Sequence, residues 1–278
     1  MPFGVNRNNC RLLPVKKEKI MKALITGASS GIGYDMAHVL SEMGYDIIAV
    51  ARRKDRLLKL KEELKTNVEI LCCDVTDVDQ CIKLSEKVSD VDVFINNAGF
   101  GVFGDFCSTD LDNELKMLDT NVRAVHILTK LVAKKFKEKN SGYILNVASL
   151  AAFFPGPLFG AYYATKSYVL RISQALAEEL RQENSKVKIS VLCPGPVHTG
   201  FAEVAKVNFG TGKEKATKSL VLNSRYVAEY AINKMFSGKE VIIPGTLMKI
   251  AVFLRHLLPD KLLAKAVYLI QSKKMVIK

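Results

Sequence analysis

The sequence predicts an α/β protein in which one doubly wound parallel sheet of about seven strands carries helices on both faces. Short apolar runs alternate with amphipathic helical patterns along most of the chain, and the first run ends in a glycine-rich turn. Such alternation requires a parallel sheet covered on both faces, with ligands at the carboxyl ends of the strands. The 278 residues, of which 49% are hydrophobic, suffice for one large domain but not for two ordinary domains and a linker.

The strands and helices are predicted from apolar runs and from helical periodicity. The predicted strands cover residues 23–25, 46–51, 68–73, 91–95, 143–148, 187–192 and 240–243. After the first strand, the pattern predicts a helix that ends at Gly44, with an apolar face of Ile32, Met36, Val39, Leu40 and Met43. Asp77 is the predicted N-cap of a helix that ends near Val88. Further helices are predicted over residues 54–65, 111–139, 158–182 and 224–236. The apolar stripe of the 111–139 helix is Leu115, Leu118, Val122, Val125, Leu128, Thr129 and Val132.

The chain divides into three predicted segments. Residues 1–20 lack periodicity and are expected to be a mobile extension, residues 21–245 form the α/β domain, and residues 246–278 form a helical extension. Within the domain, residues 201–220 are irregular and rich in Lys, Gly and Thr, which predicts a mobile loop that closes over a substrate.

The glycine-rich turn after the first strand predicts a nucleotide phosphate site of the Rossmann type. Gly27, Gly31 and Gly33 permit a tight turn and a close approach of backbone N–H groups to an anion, and the following helix N-terminus attracts negative charge. Their spacing differs from the common G-x-G-x-x-G fingerprint. The alternative is a plain tight connection.

The end of the second strand predicts the choice of dinucleotide. In dinucleotide-binding folds an acidic residue there binds the ribose of NAD, whereas an arginine neutralises the 2′-phosphate of NADP. This chain has Arg52 and Arg53 at that place, and its nearest acid, Asp55, comes slightly later. The sequence therefore favours NADP over NAD. Alternatively, the two arginines only begin a solvated basic helix.

Bulk properties exclude several other classes of protein. The net charge is +13, yet no nucleic-acid-binding motif is present, so a nucleic-acid partner is not expected. The sequence contains no uncharged apolar run of 18 or more residues, so no membrane span is predicted. The N-terminus lacks the apolar core of a secretory signal. No cysteine pair or histidine cluster has metal-ligand spacing, so no metal is predicted. We expect a cytoplasmic protein with reduced, mostly buried thiols at Cys10, Cys72, Cys73, Cys81, Cys107 and Cys193.

Tyr162 and Lys166 are four residues apart on a predicted helix and so share a face. A free tyrosine has a pKa of about 10, and a nearby ammonium lowers it. The pair can therefore act as a general acid or base, although an isolated match of this kind is common on solvated helices.

Several motifs together resemble the short-chain dehydrogenase/reductase family over about residues 21–245. They occur in the family's order and spacing: Thr26–Gly33, Asp74–Val75, Asn96–Gly99, Asn121, Ser149, Tyr162-x-x-x-Lys166 and Pro194–Gly195. Ala148 stands where many relatives have a second serine, which leaves the spacing of Ser149 unchanged.

The resemblance implies a catalytic tetrad and a reversible carbonyl reduction by NADPH. Tyr162 would donate a proton to the carbonyl oxygen, and Ser149 would hydrogen-bond that oxygen. Lys166 would bind the nicotinamide ribose and lower the pKa of Tyr162, and Asn121 would orient a water. From the residues alone, Ser149 could equally cap a turn, and Asn121 could bond the backbone within a helix.

The resemblance also implies a set of cofactor contacts. Asp74 and Val75 would lie at the adenine, and Asn97, Ala98 and Gly99 at the adenosine ribose. Thr199 would meet the nicotinamide carboxamide or the pyrophosphate, and Arg52 is the usual NADP-selecting position. The complete predicted set is Gly27, Ser29, Ser30, Gly31, Ile32, Gly33, Arg52, Arg53, Asp74, Val75, Asn97, Ala98, Gly99, Tyr162, Lys166, Pro194, Gly195, Val197 and Thr199.

Two further features of the sequence predict the substrate class and the partners, namely aromatic residues near the strand ends and an amphipathic C-terminal tail. An apolar pocket for a lipophilic ketone or aldehyde is expected if Phe100, Phe103, Phe153, Phe154, Phe159 and Phe201 converge; otherwise most are core residues. The basic tail has two alternatives: to cover the substrate cleft or a partner subunit, or to lie on an anionic membrane. We expect a homodimer or homotetramer. A nucleotide-binding sensor without turnover and a membrane-attached lipid reductase are the competing functions.

Overall fold

The computed structural model describes residues 20–205 and 221–273. Its strands are β1 (Lys22–Thr26), β2 (Asp46–Ala51), β3 (Val68–Cys72), β4 (Val93–Asn96), β5 (Tyr143–Val147), β6 (Lys188–Leu192) and β7 (Val241–Ile242). Its α-helices are α1 (Gly31–Glu42), α2 (Lys54–Glu63), α3 (Val78–Glu86), α4 (Leu111–Leu118), α5 (Val125–Glu138), α6 (Gly160–Gln182), α7 (Phe201–Val204), α8 (Ser224–Phe236), α9 (Thr246–Leu254) and α10 (Asp260–Ser272). The predicted N-cap is confirmed, because Asp77 accepts a hydrogen bond from the Gln80 backbone.

All seven strands are parallel and lie in the order β3-β2-β1-β4-β5-β6-β7. The predicted doubly wound sheet is therefore confirmed. The chain reverses direction across the sheet between β1 and β4, and this switch point opens a crevice at the carboxyl ends of the strands. Buried apolar side chains pack on both faces of the sheet, which leaves the crevice as the place for a ligand.

The predicted helix over residues 111–139 is interrupted. A π-helix, Asp119–Ala124, separates α4 from α5, and single π-turns within helices often mark functional sites. The apolar stripe predicted for this helix was wrong at its start, since Leu115 and Leu118 are exposed. The extra residue of the π-helix rotates α4 relative to α5, so the stripe does not continue into α4.

Two other helix predictions needed correction. Met43, predicted on the buried face of α1, is exposed because it lies at the C-cap. The helix predicted from residue 158 begins at Gly160, since Leu158 has a positive φ of 65° that an α-helix does not allow.

The cysteines are less buried than expected. Cys81 and Cys193 are buried, Cys73 is half-buried, and Cys72 and Cys107 are exposed. Cys72 and Cys107 lie at a strand end and in a loop, where a small side chain is not enclosed. All five are free thiols, as predicted, and Cys10 lies outside the described residues.

Other predictions fall partly outside the described chain. The expected extension over residues 1–20 and most of the expected loop over residues 201–220 lie there. Across the described residues, the helices are too short or too polar for any of them to traverse a membrane.

Candidate active site

A cavity of about 1120 Å³ lies at the carboxyl ends of the strands. All the predicted cofactor and catalytic residues line this cavity except Gly33 and Asn121, which stand directly behind its wall. The fold thus brings motifs that are far apart in sequence to one crevice.

The proposed proton donor and its two partners meet at one end of this cavity. Ser149 follows β5, and Tyr162 and Lys166 share the buried face of α6. The hydroxyl groups of Ser149 and Tyr162 are hydrogen-bonded to each other. The Lys166 ammonium donates to the Val147 carbonyl over 3.0 Å and lies 5.8 Å from the centre of the Tyr162 ring. The Ser149 hydroxyl also accepts from the Ala151 N–H at 3.1 Å, so it caps a turn as well as facing the cavity.

Burial controls the electrostatics of these groups. It raises the pKa of Tyr162, and the hydrogen bond with Ser149 only partly opposes that rise. Burial also lowers the pKa of Lys166 to about 8. Desolvation is the largest cause of the raised pKa of Tyr162, and the expected lowering of this pKa by Lys166 stays a prediction. The phenol stays protonated at neutral pH, which is the state that a proton donor requires.

Asn121 lies in the π-helix and is completely buried. Its side-chain oxygen accepts from the Phe100 N–H at 3.1 Å, while its amide nitrogen donates to the Phe100 carbonyl at 2.8 Å and to Thr165 at 3.1 Å. The side chain is thus bound to protein atoms and holds the loop after β4, while its expected role in orienting a water stays a prediction. A Cβ at Gly99 would lie 3.0 Å from this oxygen and 3.2 Å from the Lys166 nitrogen, so Asn121 and Lys166 are close neighbours.

The glycine-rich turn forms a close-packed cradle. Gly27 and Gly31 have positive φ angles of 67° and 60°, which favour glycine. A Cβ at Gly33 would lie 2.3 Å from the Asn97 amide nitrogen and 2.7 Å from the Gly27 carbonyl oxygen. The Asn97 amide donates to the carbonyls of Thr26 and Gly27 at 3.0 and 3.2 Å, which ties the turn to the end of β4.

The Thr26 side chain was missed as a positioning residue, although it begins the glycine motif. Its hydroxyl accepts from the backbone N–H groups of Asn97 and Ala98 at 3.0 and 3.1 Å. Its place at the end of a buried strand, directly before the turn, is a signal that could have identified it.

Arg53 is the arginine that contacts the cradle. Its guanidinium donates to the hydroxyls of Ser29 and Ser30 at 3.2 and 3.3 Å. Arg52, the residue expected to select NADP, also lines the cavity. Arg53 and the two serines form a cluster of cationic and hydroxyl donors, which suits a phosphate.

The remaining cofactor residues surround the same crevice. Asp74 accepts from the backbone and side chain of Thr76 at 3.0 and 2.9 Å, which shapes the edge of the cavity beyond β3. Thr199 lies over the N-terminus of α1, since a Cβ at Gly31 would be 3.0 Å from its methyl group. Both residues therefore line the crevice, and their expected contacts with a cofactor stay predictions.

Aromatic rings form the wall beside Tyr162. Phe159 stacks on Tyr162 with ring centres 4.4 Å apart, and Phe201 lies 5.4 Å from the same ring. Four of the six predicted phenylalanines line the cavity: Phe100, Phe154, Phe159 and Phe201. Phe103 packs edge-on against Phe159, whereas Phe153 packs against a separate core cluster and does not join the wall.

The C-terminal helices cover the open side of the cavity. The residues that line it there are Ala251, Leu263, Ala266, Val267, Ile270 and Gln271. Gln271 is 4% exposed, and its amide nitrogen donates to the Tyr163 hydroxyl at 2.7 Å. Periodicity gives no signal for this contact, because Gln271 reads as a polar residue at the end of a basic helix.

Comparisons with known proteins agree with this geometry. The family model described as "short chain dehydrogenase" matches residues 21–208. A curated relative, the "Probable NADP-dependent dehydrogenase" of Haemophilus influenzae, is 32% identical over 205 residues, which cover 72% of this chain and 80% of the relative.

Two solved structures share the fold over most of the chain. A short-chain dehydrogenase from Sphingobium yanoikuyae in complex with NADPH has a TM-score of 0.74 and 27% identity, over 93% of this chain and 98% of its own. The bulky-bulky ketone specific alcohol dehydrogenase from Comamonas testosteroni has a TM-score of 0.72 and 26% identity, over 86% and 92%. The chain belongs to the short-chain dehydrogenase/reductase family of oxidoreductases, which confirms the resemblance inferred from its motifs.

Proposed function

We propose that the protein is an NADPH-dependent reductase that converts the carbonyl group of a lipophilic ketone or aldehyde into an alcohol, reversibly in principle. The observation that carries the proposal is the meeting of Ser149, Tyr162 and Lys166 at one end of a cavity whose other end is the glycine cradle. This arrangement leaves room for a dinucleotide beside a proton donor.

The chain's own residues have distinct roles in this reaction. The reduced nicotinamide, when bound, supplies hydride to the carbonyl carbon. Tyr162 transfers its phenolic proton to the carbonyl oxygen, so that one hydride and one proton convert C=O into CH–OH. Ser149 donates a hydrogen bond to that oxygen and stabilises its developing charge. Lys166, beside Tyr162, binds the ribose hydroxyls and favours the phenolate left behind.

The cofactor preference for NADPH is supported by the donors of the cradle. Arg53 and the hydroxyls of Ser29 and Ser30 form a compact cluster, and Arg52 lines the same part of the cavity. A relative with NADP in its name and a neighbouring structure with bound NADPH agree with this preference.

The lipophilic substrate class is supported by the wall of the cavity. Phe159 and Phe201 lie against Tyr162, and aliphatic side chains of the C-terminal helices face them across the cavity. An apolar wall with few polar groups favours a bulky carbonyl compound over a small polar one. The structural similarity to the Comamonas testosteroni alcohol dehydrogenase, which is described as specific for bulky-bulky ketones, is consistent with this class.

A nucleotide-binding sensor without turnover remains the alternative, and the intact Ser149–Tyr162–Lys166 set argues against it. A cytoplasmic location and assembly into a homodimer or homotetramer stay predictions from the sequence.

The decisive test is a screen of NADPH oxidation with ketones and aldehydes, followed by Tyr162→Phe. We expect this variant to lower kcat by about 10²- to 10⁴-fold and to leave the Kd for NADPH within about twofold, because the phenol is needed only for proton transfer. Tyr168→Phe is the matched control, since Tyr168 is on α6 and bonds only the surface residue His126, at 2.7 Å. Retained turnover in Tyr162→Phe would refute the proton-donor role.

A further inference from the structure

The C-terminal helices expose an unusual amount of apolar surface. Of the 22 large hydrophobic side chains that are exposed in the described residues, ten lie between positions 247 and 270. We call these ten residues the tail surface: Leu247, Ile250, Phe253, Leu254, Leu257, Leu258, Leu262, Tyr268, Leu269 and Ile270. Such a concentration of exposed apolar side chains marks an interaction site rather than random surface composition.

Helix α9 is apolar on two opposite faces. Met248 and Val252, one turn apart, are buried against the domain. Ile250 and Leu254 lie four residues apart on the other side, and both are exposed. Leu257, also exposed, ends the 3₁₀-helix Arg255–Leu257 that follows α9. The fold uses the first face, whereas the second faces outward and is available to a partner.

The charged residues within this C-terminal segment are almost all basic. Between residues 246 and 273 the only acid is Asp260, and the bases are Lys249, Arg255, Lys261, Lys265 and Lys273. Apolar side chains flanked by lysine and arginine are the combination that binds anionic lipid surfaces. We propose that the tail surface docks on an anionic lipid bilayer, with its helices lying in the interface.

A second copy of the chain fits this surface less well. In a two-fold symmetric contact each copy presents the same patch, so the five bases of one copy would face the five bases of the other with one acid each to offset them. Like charges that face each other across an interface oppose association, whereas an anionic bilayer supplies the complementary charge.

The cavity opens beside the tail surface. Ile270 belongs to both, because it lines the cavity and is 58% exposed. Ala266, one turn before it, also lines the cavity. If the proposed reductase function holds, a membrane-dissolved carbonyl compound would pass from the bilayer between these side chains to Tyr162 without crossing water.

Flotation of the full chain with vesicles tests the docking. We expect the wild type to float with vesicles of equal parts phosphatidylcholine and phosphatidylglycerol, and less with phosphatidylcholine alone or in high salt. The double variant Ile250→Glu with Leu254→Glu should reduce the bound-to-free ratio by about tenfold or more, because both side chains enter the bilayer interface. Its matched control is Leu58→Glu with Ile82→Glu, which adds the same charge at side chains of similar exposure, 43% and 44% against 47% and 47%.

Equal flotation of the two double variants, or no flotation of the wild type, would overturn the proposal. A dimer in light scattering that only Ile250→Glu with Leu254→Glu dissociates would also overturn it, in favour of a second copy. The substrate route is read separately, from the KM for a long-chain ketone carried in vesicles, which should rise in the tail variant. Turnover of a small water-soluble ketone should stay unchanged, because Ile250 and Leu254 do not line the cavity. If no ketone is turned over by the wild type, the reductase proposal fails while the flotation result still stands.

Discussion

The two ends of the cavity are built in different ways. The cofactor wall, which comprises residues 27–33, 52–53 and 97–99, is made of backbone turns, hydroxyls and guanidinium groups. The substrate cover, which comprises Phe159, Phe201 and helices α9 and α10, is made of apolar side chains. In the cofactor wall a single Cβ at Gly33 finds no room, whereas the substrate cover leaves many large side chains exposed.

This difference separates the part of the cavity that would bind the cofactor from the part that would select the substrate. The cofactor wall depends on close contacts between backbone atoms, which leave no room for larger side chains. Its shape therefore suits one ligand. The substrate cover depends on the docking of a C-terminal segment, as in the contact of Gln271 with Tyr163, 108 residues away. Tyr162 and Lys166 lie where the two regions meet.

The largest expected effect concerns Lys166 at this meeting point. Its pKa is about 8 in the folded protein and 10.5 when unfolded, so between these pH values the unfolded chain binds a proton that the folded chain does not. This lysine therefore makes the folded state more stable as pH rises from about 8 to 10.5, by up to about 3 kcal/mol.

Lys166→Met removes that contribution but keeps an apolar side chain of similar length in the buried position. Urea unfolding across this pH range should show the wild type gaining stability relative to the variant. Burial raises the pKa of Cys193 to about 12, which makes stability fall with pH, and Lys166 lowers that pKa in part. Both proteins are therefore compared in a Cys193→Ala background, where the difference between them isolates the lysine. Parallel pH profiles would mean that Lys166 keeps its charge in the fold.

A methyl group at Gly33 should damage the cofactor wall. Gly33→Ala places its Cβ against the Asn97 amide and the Gly27 carbonyl, and the latter is backbone that cannot rotate away. We expect a loss of about 2 kcal/mol in the free energy of unfolding, and an increase in the Kd for NADPH. The control is Gly160→Ala, because a Cβ there meets nothing within 4 Å. Equal effects of the two variants in urea unfolding and in fluorescence titration would show that the cradle is not close-packed.

The cofactor wall is also the part that the sequence predicts well. Its glycines and the Arg52–Arg53 pair are local sequence patterns, as is the Tyr162–Lys166 spacing at its boundary with the substrate cover, and such patterns can be recognised without knowing how the chain folds. The sequence does not reveal that Asn121 bonds the Phe100 backbone or that burial raises the pKa of Tyr162, because both depend on what packs around them. The exposure of Leu115 and Leu118 follows from a π-helix that periodicity does not detect.

The arginines of the cofactor wall should decide between NADPH and NADH. Arg53→Ala removes the guanidinium that bonds Ser29 and Ser30, and we expect the preference for NADPH to fall by about tenfold, the effect of one charge-assisted hydrogen bond. Arg52→Ala should also weaken NADPH more than NADH. Lys59→Ala, which removes an exposed cation from helix α2 directly after the two arginines, is the control for a general loss of positive charge. Equal losses of both cofactors, measured as Kd by titration, would contradict a contact with the 2′-phosphate.

The smallest effect is expected in the substrate cover, at Gln271. Its amide nitrogen donates to Tyr163, whose ring lies 6.3 Å from that of Tyr162, so the contact ties α10 to the helix that carries the proposed proton donor. Gln271→Leu keeps the side chain large and apolar but removes the hydrogen bond, which leaves α10 held only by apolar packing. We expect the KM for a bulky ketone to change by about threefold, as for the loss of one neutral hydrogen bond, while kcat and the Kd for NADPH stay constant. Ser272→Ala, whose hydroxyl bonds only the Leu269 carbonyl of its own helix, is the matched control. A change in kcat without a change in KM would mean that Gln271 acts on Tyr162 itself and not on the fit of the cover over the substrate.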